Sequence, residues 1–175
     1  IFHATRGDAP QAEADYREAL YLNPQLVPAY LNLADLLRSR QRDEEARELL
    51  LEALQVAPQQ GDVLHALGLL ETRSGNRDQA LDYLGRAARQ QGASTRHRFV
   101  YAIALHDLGQ PAAAVTELQG LVRDNPGNEE ALLALANYTA GMGDRQKAAG
   151  YAQQLLRLAP QNARYQQLYR QLAAP

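Results

Sequence analysis

The amino-acid sequence predicts an all-α fold in which pairs of antiparallel helices repeat along the chain. Three features support this: helix-stopping prolines at a regular spacing, an alanine at a constant distance before each stop, and glycines between the helices of a pair. The prolines stand at positions 24, 58, 126 and 160, so neighbouring stops are 34 or 68 residues apart, and the missing stop falls on Gly92. A fixed period of this size indicates a repeat architecture.

The second helix of each pair is predicted from the apolar residues that precede the stop. In the pair that ends at Pro58, the residues Ala46, Leu50 and Ala53 are separated by four and then by three positions. This spacing places their side chains on one face of a helix. Alanine takes the first of these positions in every pair, which lets another helix approach closely. The five alanines are Ala12, Ala46, Ala80, Ala114 and Ala148.

The first helix of each pair is predicted upstream of the second, around a small residue: Ala34, Gly68, Ala102 and Ala136. The turns between the helices carry Gly7, Gly75, Gly109 and Gly143, with Gln41 as the exception. Glycine just past a helix suits a left-handed cap. The residues that follow, Asp8, Asn76 and Asp144, are predicted to accept hydrogen bonds from the first N–H groups of the next helix. Pro111 is predicted to be the first residue of a helix.

The recurring prolines end each second helix. Proline has no N–H to donate inside a helix and disfavours helical geometry in the residue before it. A single pair of helices buries too little apolar surface to offset the conformational entropy that it loses on folding, whereas stacked pairs share their faces. The sequence therefore predicts a stack of helix–turn–helix units.

The recurring residues resemble those of the tetratricopeptide repeat family. The similarity lies in "YLNLA" (30–34), its variant "LHALG" (64–68), the turn "SGNRDQA" (74–80) and the terminal prolines. The resemblance implies a right-handed α-solenoid of antiparallel helix pairs, forming one array over residues 1–175. We expect a partial repeat at 1–26, full repeats at 27–60, 61–94, 95–128 and 129–162, and a C-terminal capping helix at 163–175. Because no cap precedes the partial repeat, we expect the native chain to continue upstream of Ile1.

Three residues near the middle of the chain depart from the family pattern. Gly92 replaces the terminal proline, Arg98 stands where the family has a large apolar residue, and Glu71 takes a core position. Phe99 lies next to Arg98 and is a candidate to fill the space that Arg98 leaves. Two interpretations stay open here, namely altered packing around these residues and ordinary sequence drift in a tolerant array.

Composition excludes several classes of protein. The chain has 175 residues, 46% of them hydrophobic, with no cysteine and a net charge of −2. A balanced charge gives no broad positive field for nucleic acid or an anionic membrane. The absence of cysteine removes disulfides, thiolate chemistry and c-type haem attachment. No apolar run approaches the roughly 20 residues that span a bilayer. No targeting signal is present, and the compartment, bacterial cytoplasm or periplasm, stays open.

No catalytic motif or metal-binding motif is present, so we predict neither an enzyme nor a cofactor. The serines Ser39, Ser74 and Ser94 stand at predicted turns or helix ends, outside any nucleophile-elbow motif. The histidines form neither HExxH nor a pair four residues apart: His3, His65, His97 and His106. His65 and His106 are seven positions apart along the stacked helices, roughly 10 Å, which is too far for one metal ion.

The family resemblance implies a concave groove lined by the first helices. Carrying the groove positions over gives one row of Leu31, His65, Phe99 and Leu133, and a second row of Asp35, Leu69, Ile103 and Asn137. Arg38, Arg73, Arg96 and His106 complete the set of candidate partner-binding residues. The apolar centre with polar edges is typical of a protein-binding patch. For Phe99 two assignments stay open, an anchor in the groove or a residue of the core.

The function implied by this resemblance is a scaffold for protein–protein interaction that binds a peptide or a partner segment in the groove. Of the residues that clamp the acidic C-terminus of a chaperone in some family members, only Arg96 is matched, so that ligand is not expected. One alternative is an accessory arm of a larger bacterial envelope protein or enzyme encoded upstream, such as a multihaem cytochrome, an export component or a transferase. Another is a homodimer through the uncapped N-terminal end, where Ile1 and Phe2 are apolar.

Overall fold

A computed structural model of the protein describes residues 9–174, and all regular secondary structure in that range is α-helical. The chain divides into two compact units, the N-terminal unit Ile1–Ala93 and the C-terminal unit Ser94–Pro175. The helices of the N-terminal unit are α1 (Ala9–Leu22), α2 (Val27–Ser39), α3 (Asp43–Val56), α4 (Gly61–Ser74) and α5 (Arg77–Ala88). Those of the C-terminal unit are α6 (Thr95–Asp107), α7 (Pro111–Asp124), α8 (Glu129–Gly141), α9 (Arg145–Leu158) and α10 (Ala163–Ala173).

The prolines end the second helices as predicted. Helices α1, α3, α7 and α9 each end two residues before the proline at 24, 58, 126 or 160. Helix α5, whose landmark is Gly92, ends earlier, at Ala88. The loss of the proline therefore accompanies a shorter helix and a longer connection at this point of the chain.

The turns inside the helix pairs adopt the left-handed backbone that their glycines predict. Gly75, Gly109 and Gly143 have φ angles of 80°, 87° and 85°. Gln41 takes the same conformation with φ of 62°, although it carries a side chain that disfavours it. The turn geometry is thus kept even where the sequence departs from glycine, because the flanking helices require it. Gly7 lies outside the described residues.

Two of the predicted helix starts are confirmed and one is wrong. The Asp144 side chain accepts a hydrogen bond from the Lys147 N–H at 3.1 Å, and Pro111 opens α7. Asn76 precedes α5 but makes no capping hydrogen bond. Its amide nitrogen instead donates to the Glu71 carboxylate at 2.6 Å, because a buried anion offers a stronger acceptor than the role at the helix start. Asp8 lies outside the described residues.

Alanines at the predicted positions pack inside each unit. Ala46, Ala80, Ala114 and Ala148 are at most 1% exposed, whereas Ala12 is half-buried against the core of the N-terminal unit. Helices α4 and α5 approach each other closely at Gly68, where a Cβ atom would lie 2.5 Å from Cγ of Leu84. Small residues therefore set how near the two helices of a pair can come.

Glu71 occupies the core position that the sequence indicated and is neutralised there. Only 2% of its surface is exposed, and Arg47 on α3 donates to its carboxylate at 2.7 Å. Burial by itself raises the pKa of this carboxyl, but the hydrogen bonds from Arg47 and Asn76 outweigh it and hold the pKa below its usual range. The result is a buried ionic link between α3 and α4.

Arg98 is half-buried at its apolar position in the family pattern. Its guanidinium reaches Asp124, at the end of α7, at 2.6 Å and passes over Gly120, where a Cβ atom would lie only 3.0 Å from it. The arginine is therefore accommodated by a glycine on the facing helix and by a carboxylate at its far end.

Candidate partner-binding surfaces

The predicted binding residues lie on two surfaces, one in each unit. The α2–α4 surface belongs to the N-terminal unit, and its two helices are in contact. It comprises Leu31, Asp35, Arg38, His65, Leu69 and Arg73. The α6–α8 surface belongs to the C-terminal unit and comprises Arg96, Phe99, Ile103, His106, Leu133 and Asn137.

The apolar part of the α2–α4 surface is small. Leu31 is half-buried and packs against the core of the N-terminal unit, and Leu69 is 38% exposed. His65 is only 8% exposed, so its ring lies among the packed helices and offers little area to a partner. Leu69 is therefore the main apolar contact that this surface presents.

Charges on the α2–α4 surface are largely paired within the protein. Arg38 donates to Asp35 at 3.0 Å, one turn apart on α2. Arg73 forms an ion pair at 3.2 Å with Asp43, at the start of α3. A partner would have to break or share these exposed ion pairs, each of which typically contributes less than about 1 kcal/mol.

Phe99 and Ile103 form the centre of the α6–α8 surface. Both are half-buried and pack against a cluster that includes Leu118, Leu121 and Leu135. Each side chain thus has one part in contact with the core and another part at the surface. For Phe99 the two assignments made from the sequence are compatible with this position, and only binding and stability measurements on the same variant separate them.

A ring stack borders this centre. The imidazole of His106 on α6 lies 3.6 Å from the ring of Tyr138 on α8, with 6° between the two planes. Nδ1 of His106 lies 3.1 Å from a carboxylate oxygen of Asp107. Burial, with a smaller contribution from the Asp107 carboxylate, raises the pKa of Tyr138. The stack fixes the position of His106, whose side chain is 37% exposed.

The α6–α8 surface continues onto α10. Leu133 and Asn137 line a cavity of about 160 Å³ together with Arg164, Gln167, Leu168 and Gln171. Leu133 and Leu168 also pack against a cluster of Leu132, Leu155 and Tyr165. The helix predicted to be the C-terminal cap therefore also supplies polar and apolar atoms to the candidate site.

Sequence reasoning missed the residues of α10 and Tyr138. The same 34-residue period would have found two of them, since Gln167 follows the row of Leu133 and Gln171 follows the row of Asn137. Arg164 and Leu168 share their helix face by the spacing of three and four residues. Tyr138 gave no such signal, because its ring contact depends on the rotation of α8 relative to α6.

The described part of the chain presents no arrangement suited to metal chemistry. Residues 9–174 contain no group of three or more His, Asp or Glu side chains that could hold a metal ion. Among the helices within that range, none combines the length and the apolar character needed to cross a bilayer.

Two of the serines considered in the sequence analysis make structural hydrogen bonds. Ser94 caps α6 by accepting from the His97 N–H at 3.1 Å, and the Ser74 hydroxyl accepts from Arg47.

Models of one protein family match almost the whole chain. One family model described as tetratricopeptide repeat matches residues 3–61 and 65–129. A second model with the same description matches residues 105–172. No match was found among curated protein sequences.

Several solved structures share the fold. MamA is similar at 20% identity over 94% of this chain and 100% of its own, with a TM-score of 0.77. PilF of Pseudomonas aeruginosa is similar at 22% identity over 96% of this chain and 77% of its own, with a TM-score of 0.76. YrrB, described as a protein with an unusual peptide-binding site, is similar at 22% identity over 91% of this chain and 82% of its own, with a TM-score of 0.72. At these identities the likeness establishes the fold alone.

Proposed function

This chain belongs to the tetratricopeptide repeat family, whose fold is typical of protein–protein interaction scaffolds, and we propose that it binds a segment of a partner protein on the α6–α8 surface. The observation that carries the proposal is an apolar centre with polar edges. Phe99 and Ile103 are half-buried at the centre, and the exposed side chains of Arg96 and Asn137 stand at its margins. This arrangement matches the apolar core and polar rim of protein interfaces.

The cavity at α10 gives the partner segment a second point of attachment. Its polar lining includes Asn137, Gln167 and Gln171, whose amides can pair with the backbone groups of a bound peptide. Arg164 adds a donor for a carboxylate or carbonyl oxygen. At about 160 Å³ the cavity is smaller than the roughly 300–1,000 Å³ of small-molecule pockets, and its size favours a side chain of a protein partner.

The α2–α4 surface, considered within the N-terminal unit alone, is a weaker candidate for partner binding. It presents the exposed Leu69 together with two paired arginines, Arg38 and Arg73. Because both arginines already have carboxylate partners in the protein, charges on this surface would contribute to specificity more than to binding free energy.

The decisive experiment compares binding and stability for the same variant. A pull-down with the intact protein identifies a partner, and titration calorimetry then measures its affinity for Phe99→Ala. If Phe99 is an anchor, the binding free energy becomes less favourable by about 2 kcal/mol. If the side chain serves the core instead, the variant loses about 3–5 kcal/mol of stability while the refolded protein binds normally.

Tyr21→Ala is the matched control for this experiment. Tyr21 is 86% exposed, lies on α1 and is not one of the candidate residues of the α6–α8 surface, so its truncation removes an exposed aromatic ring from outside the proposed site. Partner affinity should not change in the control. A large loss of stability in Phe99→Ala with unchanged affinity would remove Phe99 from the binding surface.

The alternative of an accessory arm stays a prediction. Reading the coding sequence upstream of Ile1 tests it, since a series of CxxCH motifs, a transferase domain or a barrel domain would each identify a different parent protein. The expected homodimer involves Ile1 and Phe2, which lie outside the described residues. Light scattering on a chain extended upstream tests whether a dimer persists once that end is covered.

A further inference from the structure

A second cavity lies in the N-terminal unit, away from the α2–α4 surface. It has a volume of about 270 Å³ and is lined by α1, α2 and α3. Leu33 and Leu37 of α2 form its floor, and each is two positions away from a residue of the α2–α4 surface, Leu31 or Asp35. Two positions on a helix correspond to a rotation of about 200°. The cavity therefore opens on the opposite side of α2.

The walls of this cavity combine leucines and carboxylates with one arginine, Arg17. Half-buried Leu20 and Leu49 stand above the floor, and Glu45, Glu48 and Glu52 line the side formed by α3. The spacing of three and four residues places the three glutamates on one face of α3. A partner on this surface would meet an apolar depression beside a row of negative charge.

Two of the three glutamates have no counterion among the described residues. Glu45 is held by Arg42 at 2.6 Å. The cavity-lining Arg17 pairs with Glu13 at 2.8 Å and lies 3.8 Å from Glu45, so its charge is already compensated within the protein. Glu48 and Glu52 form neither a hydrogen bond nor an ion pair within residues 9–174, and both are exposed. The pKa of Tyr30 is raised mainly by burial, and the negative charge of Glu52 adds to this effect.

The corresponding positions of the next pair are built differently. One period further on, α5 carries Asp82 and Arg86, which neutralise each other at 3.3 Å. Like charges four residues apart on a helix destabilise it, whereas opposite charges stabilise it. Glu48 and Glu52 thus weaken α3 slightly without gaining an internal contact. A cationic partner would compensate for this repulsion.

We propose that this cavity is a docking site for a cationic amphipathic helix of a partner protein. An apolar side chain of that helix enters the depression between Leu20 and Leu49, and two Lys or Arg residues four positions apart pair with Glu48 and Glu52. The spacing of the two glutamates, about 6 Å along the axis of α3, matches one turn of the partner helix. At about 270 Å³ the cavity holds one large side chain rather than a small-molecule ligand.

A synthetic peptide tests this site directly on the whole chain. The probe is a fluorescein-labelled, amidated peptide of about 18 residues, long enough to form a helix, with leucines at i, i+3, i+4 and i+7 and lysines beside them. Fluorescence anisotropy measures its binding to the wild-type chain and to Glu48→Gln/Glu52→Gln. The double variant should bind about five- to tenfold more weakly, because two exposed ion pairs are lost.

A matched double variant controls for overall charge. Asp78→Asn/Asp82→Asn removes two carboxylates four positions apart on α5 of the same unit, and it should change the peptide affinity by less than about twofold. The glutamine variant should also unfold at an equal or higher urea concentration than the wild type, since it removes a like-charge repulsion. Weaker binding together with unchanged or greater stability is the signature of the docking site.

Four results would overturn the proposal. They are the absence of saturable peptide binding, equal affinity for a peptide with glutamates in place of the lysines, an equal loss in both double variants, and self-association of the wild type that the glutamine variant abolishes. The last result would assign the cavity to a second copy of the chain. None of these results depends on Phe99 or α10, so failure here leaves the proposed function untouched.

Discussion

The N-terminal and C-terminal units share one 34-residue period but hold their helices together by different chemistry. In the N-terminal unit the polar links between helices are mainly ion pairs. Glu13 on α1 accepts from Arg42 at 2.7 Å, Arg47 on α3 reaches Glu71 on α4, and Arg73 pairs with Asp43. Carboxylates also outnumber basic side chains over residues 9–93, while the reverse holds over residues 94–174.

In the C-terminal unit tyrosine rings make several of the corresponding links. Tyr138 stacks on His106, the Tyr151 hydroxyl accepts from Gln119 at 2.9 Å, and the Tyr165 hydroxyl donates to Glu129 at 2.6 Å. Arg98 and Asp124 form an ion pair at the surface of this unit. The comparison teaches that the repeat pattern fixes small and apolar positions, whereas the polar links between helices vary from pair to pair.

The largest expected effect comes from removing the buried charge of the N-terminal unit. Glu71→Ala should cost about 3–5 kcal/mol of the free energy of unfolding, because it leaves Arg47 and Asn76 without their buried acceptor. Urea unfolding followed by circular dichroism measures it. Glu44→Ala, which removes only the exposed partner of Arg47, should cost less than about 1 kcal/mol.

Replacing both partners sharpens this result. Glu71→Leu/Arg47→Leu exchanges the buried pair for apolar groups, and such exchanges are often neutral or stabilising. We therefore expect the double variant to recover most of the stability that Glu71→Ala loses. If it is as unstable as Glu71→Ala, the ionic link contributes more than neutralisation of two buried charges.

Acid should weaken the N-terminal unit before the C-terminal unit. The pKa of Glu71 lies below the ordinary value of 4.5, so the stability that its ionised form contributes is complete above pH 4.5 and is lost as the pH falls through the lowered pKa. Asp124 and Asp144 of the C-terminal unit also have lowered pKa values, through hydrogen bonds from Arg98 and Lys147, but both are at the surface, where solvent screens the effect.

Amide hydrogen exchange, resolved by peptide and corrected for the intrinsic pH dependence, measures the acid response of each unit. Protection in α3 and α4 should fall first on acidification, and Glu71→Gln should remove most of this pH dependence. An equal loss of protection in both units would contradict the assignment of acid sensitivity to Glu71.

A smaller effect is expected from the ring stack of the C-terminal unit. His106→Ala should cost about 0.5–1.5 kcal/mol beyond the loss of buried area, the usual contribution of an aromatic pair. Tyr138→Phe keeps the stack and is the matched control. Thermal unfolding of both variants measures the difference. Equal melting temperatures for His106→Ala and the wild type would show that the stack adds no stability.

The smallest effect is expected at the turn between α2 and α3, where Gln41 takes the place that glycine has in the other described turns. Gln41 has φ of 62°, so Gln41→Gly relieves an unfavourable backbone at the cost of greater freedom in the unfolded chain. We expect the free energy of unfolding of the N-terminal unit to rise by about 0.5–1 kcal/mol. Gly109→Gln, the reverse change in the C-terminal unit, should lower the free energy of unfolding by a similar amount. Urea unfolding of both variants tests whether the two changes are equal in size and opposite in sign.

Much of the fold was predictable because each signal acts locally. Proline stops, glycine turns and the alanine positions depend on residues a few places apart, and they located the helix ends to within a few residues. The Asn76 interaction was not predictable by this route. Its partner, Glu71, is an acidic residue at a core position, and nothing in the local turn sequence indicates that a buried carboxylate competes with the helix end.

For the candidate binding residues, the sequence predicted which helices carry them but not the environment of their side chains. The period placed Phe99, Ile103 and Leu133 on first helices, yet it could not show that His65 is buried or that Arg73 is held by Asp43. Those outcomes depend on side-chain rotamers and on contacts between helices. The contribution of α10 was missed because it was interpreted as a cap alone.

The position of the Asn76 amide has a practical consequence for protein engineering. A designer who compares the turns of this chain would see aspartate at 144 and asparagine at 76, and would choose Asn76→Asp as an improved helix start. That change would place the new aspartate carboxylate against the buried Glu71 carboxylate, where a 2.6 Å hydrogen bond now joins Asn76 and Glu71. A substitution recommended by repeat statistics would thus damage the molecule at a turn where one repeat departs from the others.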